Sequence, residues 1–116
     1  MDVTHEELAR RLGDAGLTVL DVRSPAEYSG QLGAPCDPRQ GHIPGAVNLD
    51  LQVLMSLGPE GLRERLGPPE QQEIVAYCHS GSRSALAVEV LREAGYAARN
   101  YPGSWHEWSR TPKTSR

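Results

Sequence analysis

One cysteine of this sequence occupies a position that favours nucleophilic chemistry. Cys78 follows the apolar run 74–77, which has the length and β-branched residues of a buried strand, and it precedes an amphipathic run that begins at Ser84. A helix N-terminus and loop amides stabilise a thiolate and lower a cysteine pKa from about 8.5 to roughly 3.5–7.5. We therefore expect Cys78 to be largely thiolate near neutral pH and to act as a nucleophile.

The residues after Cys78 are small or polar and end in a cation: His79, Ser80, Gly81, Ser82 and Arg83. Small residues let the backbone curl so that its N–H groups point inward as an anion cradle, and Arg83 adds a fixed positive charge. We predict that Cys78 is catalytic and that residues 79–83 bind substrate. For His79 a contact with substrate, an effect on the thiol and an exposed loop position are all open. The alternative for Cys78, an inert buried thiol, does not explain the glycine, serines and arginine beside it.

Strand-like and helix-like runs alternate along the chain and would position this loop. Helices are predicted at 4–13, 25–30, 51–57, 60–66, 84–94 and 105–108, and strands at 17–22, 46–49, 74–77 and 97–101. This alternation predicts an α/β domain with a mainly parallel sheet flanked by helices. In such a sheet ligands bind beyond the carboxyl ends of the strands, which is where Cys78 lies.

Length and charge limit the classes of function. The 116 residues suit one domain, 1–116, with a polar tail from about 110. The net charge of −3 offers no basic stripe for nucleic acid, and no run approaches the roughly 18 apolar residues of a membrane span. The acidic N-terminus lacks the regions of a signal peptide, so a cytoplasmic location is expected. Two cysteines do not make a disulfide framework.

Four stretches of the sequence carry a family resemblance: LDVR at 20–23 with Glu27-Tyr28, GHIPGAVN at 41–48, the loop 78–83, and YPGSW at 101–105. In this order they resemble the rhodanese family of sulfurtransferases over almost the whole chain. The long loop before GHIPGA and the GSWHEW ending are most similar to the C-terminal, catalytic half of thiosulfate and 3-mercaptopyruvate sulfurtransferases. We expect this chain to correspond to that half alone, and Arg83 stands where those enzymes usually have a small residue.

The resemblance implies a three-layer α/β/α domain and a double-displacement reaction. The Cys78 thiolate would attack the outer sulfur of thiosulfate or a similar small anionic donor, and the resulting persulfide would pass its sulfur to cyanide, a thiol or a protein acceptor. The loop amides and Arg83 would hold the departing sulfite. No cofactor is expected.

Two other functions fit parts of the pattern. A phosphatase or arsenate reductase of the same fold also uses a cysteine, an anion cradle and a terminal arginine. Those enzymes place a longer run of residues between the cysteine and the arginine than the four of this loop, and a tighter ring suits sulfur better than a phosphoryl group. A regulatory or sulfur-relay module that lacks turnover is the second alternative, and the intact loop argues against it.

Several further residues have both a structural and a functional interpretation. Asp21 and Arg23 end the first strand, and an ion pair of Arg23 with Asp21 or Glu27 is favoured over a catalytic role. His42 is expected to hold the GHIPG turn by bonding to backbone.

The cysteines and loop histidines lack zinc-site spacing, so no metal is expected. Cys36 could form a disulfide with Cys78 on oxidation, although an incidental cysteine is the favoured interpretation.

The remaining side chains with two interpretations lie in the long loop and near the end of the chain. For Arg39, a solvated loop position is favoured over reach to the active-site mouth. Trp105 and Trp108 are expected to pack the last helical turn on the core rather than to line a pocket.

Overall fold

A computed structural model describes residues 2–111, so most of the predicted polar tail, 112–116, lies outside the described residues. The helices are α1 (His5–Arg11), α2 (Pro25–Ser29), α3 (Leu51–Ser56), α4 (Pro59–Leu66), α5 (Ser82–Glu93) and α6 (Ser104–Trp108). The strands are β1 (Leu17–Asp21), β2 (Val47–Asn48), β3 (Glu73–Tyr77) and β4 (Ala97–Asn100), and a short 3-10 turn spans Pro69–Gln71. Each predicted element is present, with ends shifted by a residue or two.

The four strands form one parallel sheet in the order β2-β1-β3-β4. In the register of the two central strands Asp21 lies beside Tyr77. The residues that follow each strand therefore emerge at the same edge of the sheet, which brings the Asp21–Arg23 segment to the cysteine loop. The predicted α/β fold with a parallel sheet is confirmed.

Side chains alternate between the two faces of β3 and divide the core into two layers. Ile74 and Ala76 pack in a cluster with buried residues of α3, α4 and α5, whereas Val75 and Tyr77 pack in a second cluster with α1 and α6. Cys78 continues the alternation and belongs to the first cluster. The domain thus has three layers, α/β/α, as the resemblance implied.

Capping residues in the sequence start helices α1 and α2 as predicted. Thr4 accepts a hydrogen bond from the Glu7 amide at the start of α1. At the start of α2, Ser24 and Glu27 form a full capping box. Helix α5 begins earlier than predicted because Gly81, at φ 97°, turns the loop directly into the helix.

None of the helices within residues 2–111 is both long and apolar enough to cross a membrane.

Candidate active site

The Cys78 sulfur lies at the base of the loop and faces hydrogen-bond donors. Cys78 as a whole residue is 1% exposed. The Gly81 amide donates to Sγ at 3.1 Å, and both the amide and the hydroxyl of Ser84 donate to it at 3.4 Å. These groups belong to the first turn of α5 and its cap, where backbone N–H groups have no partner within the helix.

This environment changes the acidity of the thiol. Burial alone raises the pKa of Cys78, but the Ser84 hydroxyl and amide together with the Gly81 and Ser80 amides outweigh it and lower the pKa below the ordinary value. The expectation of a thiol with lowered pKa is confirmed. The stabilising groups are short-range donors to sulfur, so they favour the thiolate over the thiol.

Gly81 allows the loop to curl around the sulfur. Its φ of 97° is a conformation that residues with a side chain rarely adopt, and a Cβ there would lie 2.7 Å from the Pro102 carbonyl oxygen. The Gly81 carbonyl oxygen lies 3.2 Å from the Ser84 hydroxyl, so this oxygen and the Cys78 sulfur share the single hydroxyl proton. Both torsion and space therefore require glycine at this position.

The start of α6 holds the loop from the opposite side. Ser104 Oγ accepts a hydrogen bond from the Cys78 amide at 3.0 Å, and the Trp105 amide donates to the Cys78 carbonyl at 2.9 Å. Ser104 is fully buried and has a φ of 55°, the one non-glycine residue with positive φ among those described. The cost of this conformation is offset by hydrogen bonds that fix the backbone of the nucleophile.

The Arg83 side chain is paired with a carboxylate. Its Nη1 and Nη2 donate to Glu27 Oε1 and Oε2 at 3.0 and 3.2 Å, and its side chain is 39% exposed. Burial alone raises the pKa of Glu27, but the bonds from Arg83 and from Ser24 lower it to about 2. Glu27 is therefore ionised at neutral pH, and the cation predicted for the cradle carries a counter-charge.

The remaining predicted site residues differ in where they lie. Ser80 and Ser82 are exposed on the outer side of the loop. The His79 imidazole, 27% exposed, is hydrogen-bonded through Nε2 to Asp37 Oδ2 at 3.0 Å. His79 is joined to α6 as well, because its carbonyl accepts from the His106 amide at 2.9 Å.

A buried ion pair supports the loop from β1. Arg23 Nη2 lies 2.7 Å from Asp21 Oδ2 with both side chains almost fully buried, and it also donates to the Gly41 carbonyl at 2.6 Å. The Tyr77 hydroxyl donates to Asp21 Oδ2 at 2.8 Å and accepts from the Ile43 amide at 3.0 Å. The structural interpretation of Asp21 and Arg23 is confirmed, and of the two predicted partners Arg23 uses Asp21.

The long loop 30–46 is anchored at several points. His42 Nδ1 is 2.8 Å from the Tyr28 carbonyl oxygen and its ring stacks on that of Tyr28, so its turn-holding role is confirmed. Arg39 donates to the Trp108 carbonyl at 2.9 Å and is half-buried. The prediction of a solvated Arg39 is wrong, because the loop folds onto α6. Cys36 is exposed with a free thiol.

The two tryptophans of α6 are buried against the core as expected. Trp105 is 3% and Trp108 8% exposed, and both belong to the cluster of the α1 layer. The Trp105 indole N–H donates to the Arg39 carbonyl at 3.1 Å. The helix that clamps the cysteine loop is thus itself fixed by packing.

Residues 4–111 match the family of rhodanese-like domains. The chain belongs to this family. A thiosulfate sulfurtransferase of Azotobacter vinelandii is 36% identical to the chain over 120 residues, covering 96% of the chain and 44% of that protein. The sulfur carrier protein TtuD of Thermus thermophilus is 39% identical over 108 residues, covering 78% of the chain and 37% of that protein. The rhodanese-like chain therefore spans less than half the length of these relatives.

Solved structures of other rhodanese-like proteins are similar in fold. A probable thiosulfate sulfurtransferase superposes with a TM-score of 0.81 at 51% identity, covering 94% of this chain and 44% of the other. The human single-domain sulfurtransferase TSTD1 superposes with a TM-score of 0.74 at 28% identity, covering 97% of each chain. The second comparison shows a separate protein that is almost entirely one domain of this fold.

Sequence reasoning missed three residues of this rhodanese-like site. The sequence predicts Ser84 only as the helix start, whereas in the structure its hydroxyl also lies 3.4 Å from the Cys78 sulfur. For Glu27 the sequence indicates a pair with Arg23, whereas its carboxylate bonds to Arg83, a contact that depends on the tertiary fold. Ser104 carries no sequence signal, because its role follows from a backbone conformation that serine rarely adopts.

Proposed function

We propose that this rhodanese-like domain is a sulfurtransferase that carries sulfane sulfur as a persulfide on Cys78. The observation that supports it most directly is the Cys78 sulfur at the base of a loop, with the Gly81 amide and both Ser84 donors directed at it. Donors arranged in this way stabilise a sulfur anion. The names of the relatives, thiosulfate sulfurtransferase and sulfur carrier protein, agree with this chemistry.

In the first half of the proposed reaction the Cys78 thiolate attacks the outer sulfur of thiosulfate. A new S–S bond forms to Cys78 while the S–S bond of thiosulfate breaks, and sulfite leaves with the electron pair of that bond. The loop amides of residues 80–82 stabilise the negative charge on the transferred sulfur. Arg83, at the mouth of the loop, binds the departing sulfite.

In the second half an acceptor nucleophile attacks the outer sulfur of the persulfide. The bond between the two sulfurs breaks, Cys78 leaves as a thiolate, and the enzyme returns to its starting state. Cyanide serves as an assay acceptor, and a thiol or a protein sulfur carrier is the proposed acceptor in the cell. The donors that stabilise the thiolate also make it a good leaving group, because they bind the anion that each half-reaction uses or regenerates.

We propose that residues 1–116 act as one domain and that His79, Ser80, Gly81, Ser82 and Arg83 form the substrate-binding loop. Ser80 and Ser82 are exposed at the outer side of this loop and so can meet an incoming donor or acceptor. The cytoplasmic location expected from the sequence stays a prediction. The same holds for the expected partners, which are a small anionic sulfur donor and a protein acceptor, and not nucleic acid or a membrane.

Intact mass spectrometry after incubation with thiosulfate tests the proposal. We expect a gain of one sulfur atom, about 32 Da, that cyanide removes with release of thiocyanate. Cys78→Ser should show no gain, and Cys36→Ser should gain sulfur like the wild type because Cys36 is exposed on another loop. The absence of an adduct with thiosulfate and with 3-mercaptopyruvate, together with hydrolysis of an aryl phosphate, would overturn the proposal.

A further inference from the structure

Three side chains that do not donate to the Cys78 sulfur converge beside the active-site loop. They are Asp37 of the long loop, His79 of the active-site loop and His106 of α6. His79 Nε2 lies 3.0 Å from Asp37 Oδ2, and His106 Nδ1 lies 3.8 Å from Asp37 Oδ1. One nitrogen or oxygen from each residue lies within 4.8 Å of the other two. The proposed sulfur transfer at Cys78 does not require any contact among these three side chains.

The carboxylate at the centre of this cluster is buried. The Asp37 side chain is 0% exposed although its neighbours in the loop are mostly exposed. A buried carboxylate requires partners, since an isolated buried charge is strongly unfavourable. Arg110 Nη1 donates to Oδ1 at 2.9 Å, which leaves Oδ2 directed at the His79 ring. The loop thus holds the oxygen in a fixed place.

The two imidazoles approach this carboxylate from different elements. Their rings lie edge to face, with centroids 5.5 Å apart and planes at 84°. Nitrogens from two separate rings therefore converge on the same carboxylate. Two imidazoles and one carboxylate are a ligand set that suits first-row transition metals such as zinc, iron or nickel.

We propose that Asp37, His79 and His106 bind a divalent first-row transition-metal ion. Ligand bonds of about 2.0–2.2 Å place two ligands of one ion at most roughly 4 Å apart. The 3.0 Å separation of His79 Nε2 from Asp37 Oδ2 already satisfies this limit, whereas His106 Nδ1 lies 3.8 Å from the other oxygen, Oδ1. His106 is 51% exposed on the surface of α6, so rotation of its ring can bring its nitrogen within range of Oδ2 and of His79 Nε2.

Arg110 supports the site instead of competing for it. Carboxylates that bind metals are commonly held by a hydrogen bond on the other oxygen, and Arg110 supplies this bond on Asp37 Oδ1. The ion would bind Oδ2 and His79 Nε2, which now share a hydrogen bond. Three protein ligands leave coordination positions for water or another small ligand.

The site would join three parts of the chain around the nucleophile. His79 directly follows Cys78, and its carbonyl already accepts from the His106 amide at 2.9 Å. A bound ion would add a further link between the active-site loop and α6, beside the hydrogen bonds already present, and would tie the long loop to both. Metal binding is therefore expected to raise the melting temperature of the domain.

Titration of the untagged full chain with cobalt(II), followed by calorimetry and by visible absorption, tests the site. We expect one ion per chain, and His106→Ala should weaken binding at least about tenfold. Asp37→Asn should weaken it similarly. His5→Ala, on α1 outside the cluster, should bind as the wild type does. His106 is half-exposed, so its variant is expected to fold, and circular dichroism checks this.

Three outcomes would overturn the inference. The first is wild-type affinity in a folded His106→Ala. The second is binding that Cys36→Ser or Cys78→Ser removes while His106→Ala retains it, because the ion would then be held by a thiolate. The third is the absence of saturable binding to the wild type at cobalt(II) concentrations up to the millimolar range. None of these results depends on sulfur transfer, so the proposed function is tested separately.

Discussion

The guanidinium of Arg83 is bound by the carboxylate of Glu27 through two parallel hydrogen bonds, Nη1 to Oε1 at 3.0 Å and Nη2 to Oε2 at 3.2 Å. This fork-to-fork geometry is the strongest form of the arginine–carboxylate pair. It joins the end of the active-site loop to α2, across the mouth of the site. The positive charge at the mouth is therefore largely compensated, and an anionic substrate must compete with Glu27 for Arg83.

Glu27→Gln should raise the efficiency of sulfur transfer from thiosulfate. Loss of the carboxylate leaves Arg83 free to bind the anion, while glutamine retains an oxygen for the capping box of α2. We expect a several-fold lower KM for thiosulfate at low ionic strength, a gain that shrinks as added salt screens the charge. Steady-state kinetics with cyanide as acceptor measures this.

Glu70→Gln is the matched control, because Glu70 pairs with Arg63 on the surface away from the loop. It should leave KM unchanged. An unchanged KM in Glu27→Gln would mean that Arg83 does not bind the donor.

The same pair makes stability depend on pH in the acid range. The pKa of Glu27 is lowered from its ordinary 4.5 to about 2 in the folded domain. Its stabilising contribution is thus present above pH 4.5 and is lost as pH falls from 4.5 through 2. Because Arg83 is partly exposed to solvent, we expect the pair to contribute about 1–2 kcal/mol to the unfolding free energy. The difference in unfolding free energy between wild type and Glu27→Gln, from urea titrations at pH 6 and pH 3, should be clearly smaller at pH 3, where part of the contribution is already lost. A constant difference would contradict this.

Much of the fold follows from local signals that the sequence displays. The capping box of Ser24 and Glu27 and the left-handed Gly30 that ends α2 are both encoded in adjacent residues. Strand β3 and helix α5 were predictable because each is long enough for its own hydrophobic period to be evident. The position of Cys78 between them follows from these two elements alone.

Contacts between distant segments could not be predicted in the same way. Glu27 has a local capping role that conceals its bond to Arg83. Asp37 was one polar residue in a glycine- and proline-rich loop, and its burial depends on how that loop folds onto α6. The same folding explains why Arg39 is anchored rather than solvated. Each of these relationships requires the path of the long loop, which no local pattern specifies.

Ser84→Ala should slow sulfur transfer about tenfold. Its hydroxyl is 3.4 Å from Cys78 Sγ, and loss of one hydrogen bond to a charged group removes roughly 1.5 kcal/mol. The Ser84 amide and the Gly81 amide remain, so activity should persist. Stopped-flow measurement of persulfide formation reports the effect. Ser56→Ala provides the comparison, because that serine is exposed on α3 and its hydroxyl donates to the Val53 carbonyl, and a tenfold loss there as well would contradict the assignment to Ser84.

Gly81→Ala should damage both stability and activity. The Cβ would lie 2.7 Å from the Pro102 carbonyl oxygen at a φ of 97°, so the loop must move and its amide must leave the sulfur. We expect about 1–3 kcal/mol lower unfolding free energy and at least about a tenfold slower persulfide formation. Gly58→Ala, with open space around it and an ordinary φ, should change the unfolding free energy by less than about 0.5 kcal/mol. Equal effects of the two substitutions would refute the steric argument.

Asp21→Asn should be among the more destabilising single substitutions at the carboxyl edge of the sheet. Arg23 is 1% exposed, and removal of its counter-charge leaves a buried guanidinium whose remaining partners are uncharged: the Gly41 carbonyl, the introduced amide oxygen and the rings of Tyr77 and Trp105. Breaking a buried pair in this way costs about 3–5 kcal/mol, whereas replacing both partners by apolar residues costs far less. Urea denaturation should therefore show a large loss for Asp21→Asn and a partial recovery when Arg23→Met is added to it. If the double variant were less stable than the single one, the Arg23 charge would be stabilised by groups other than Asp21.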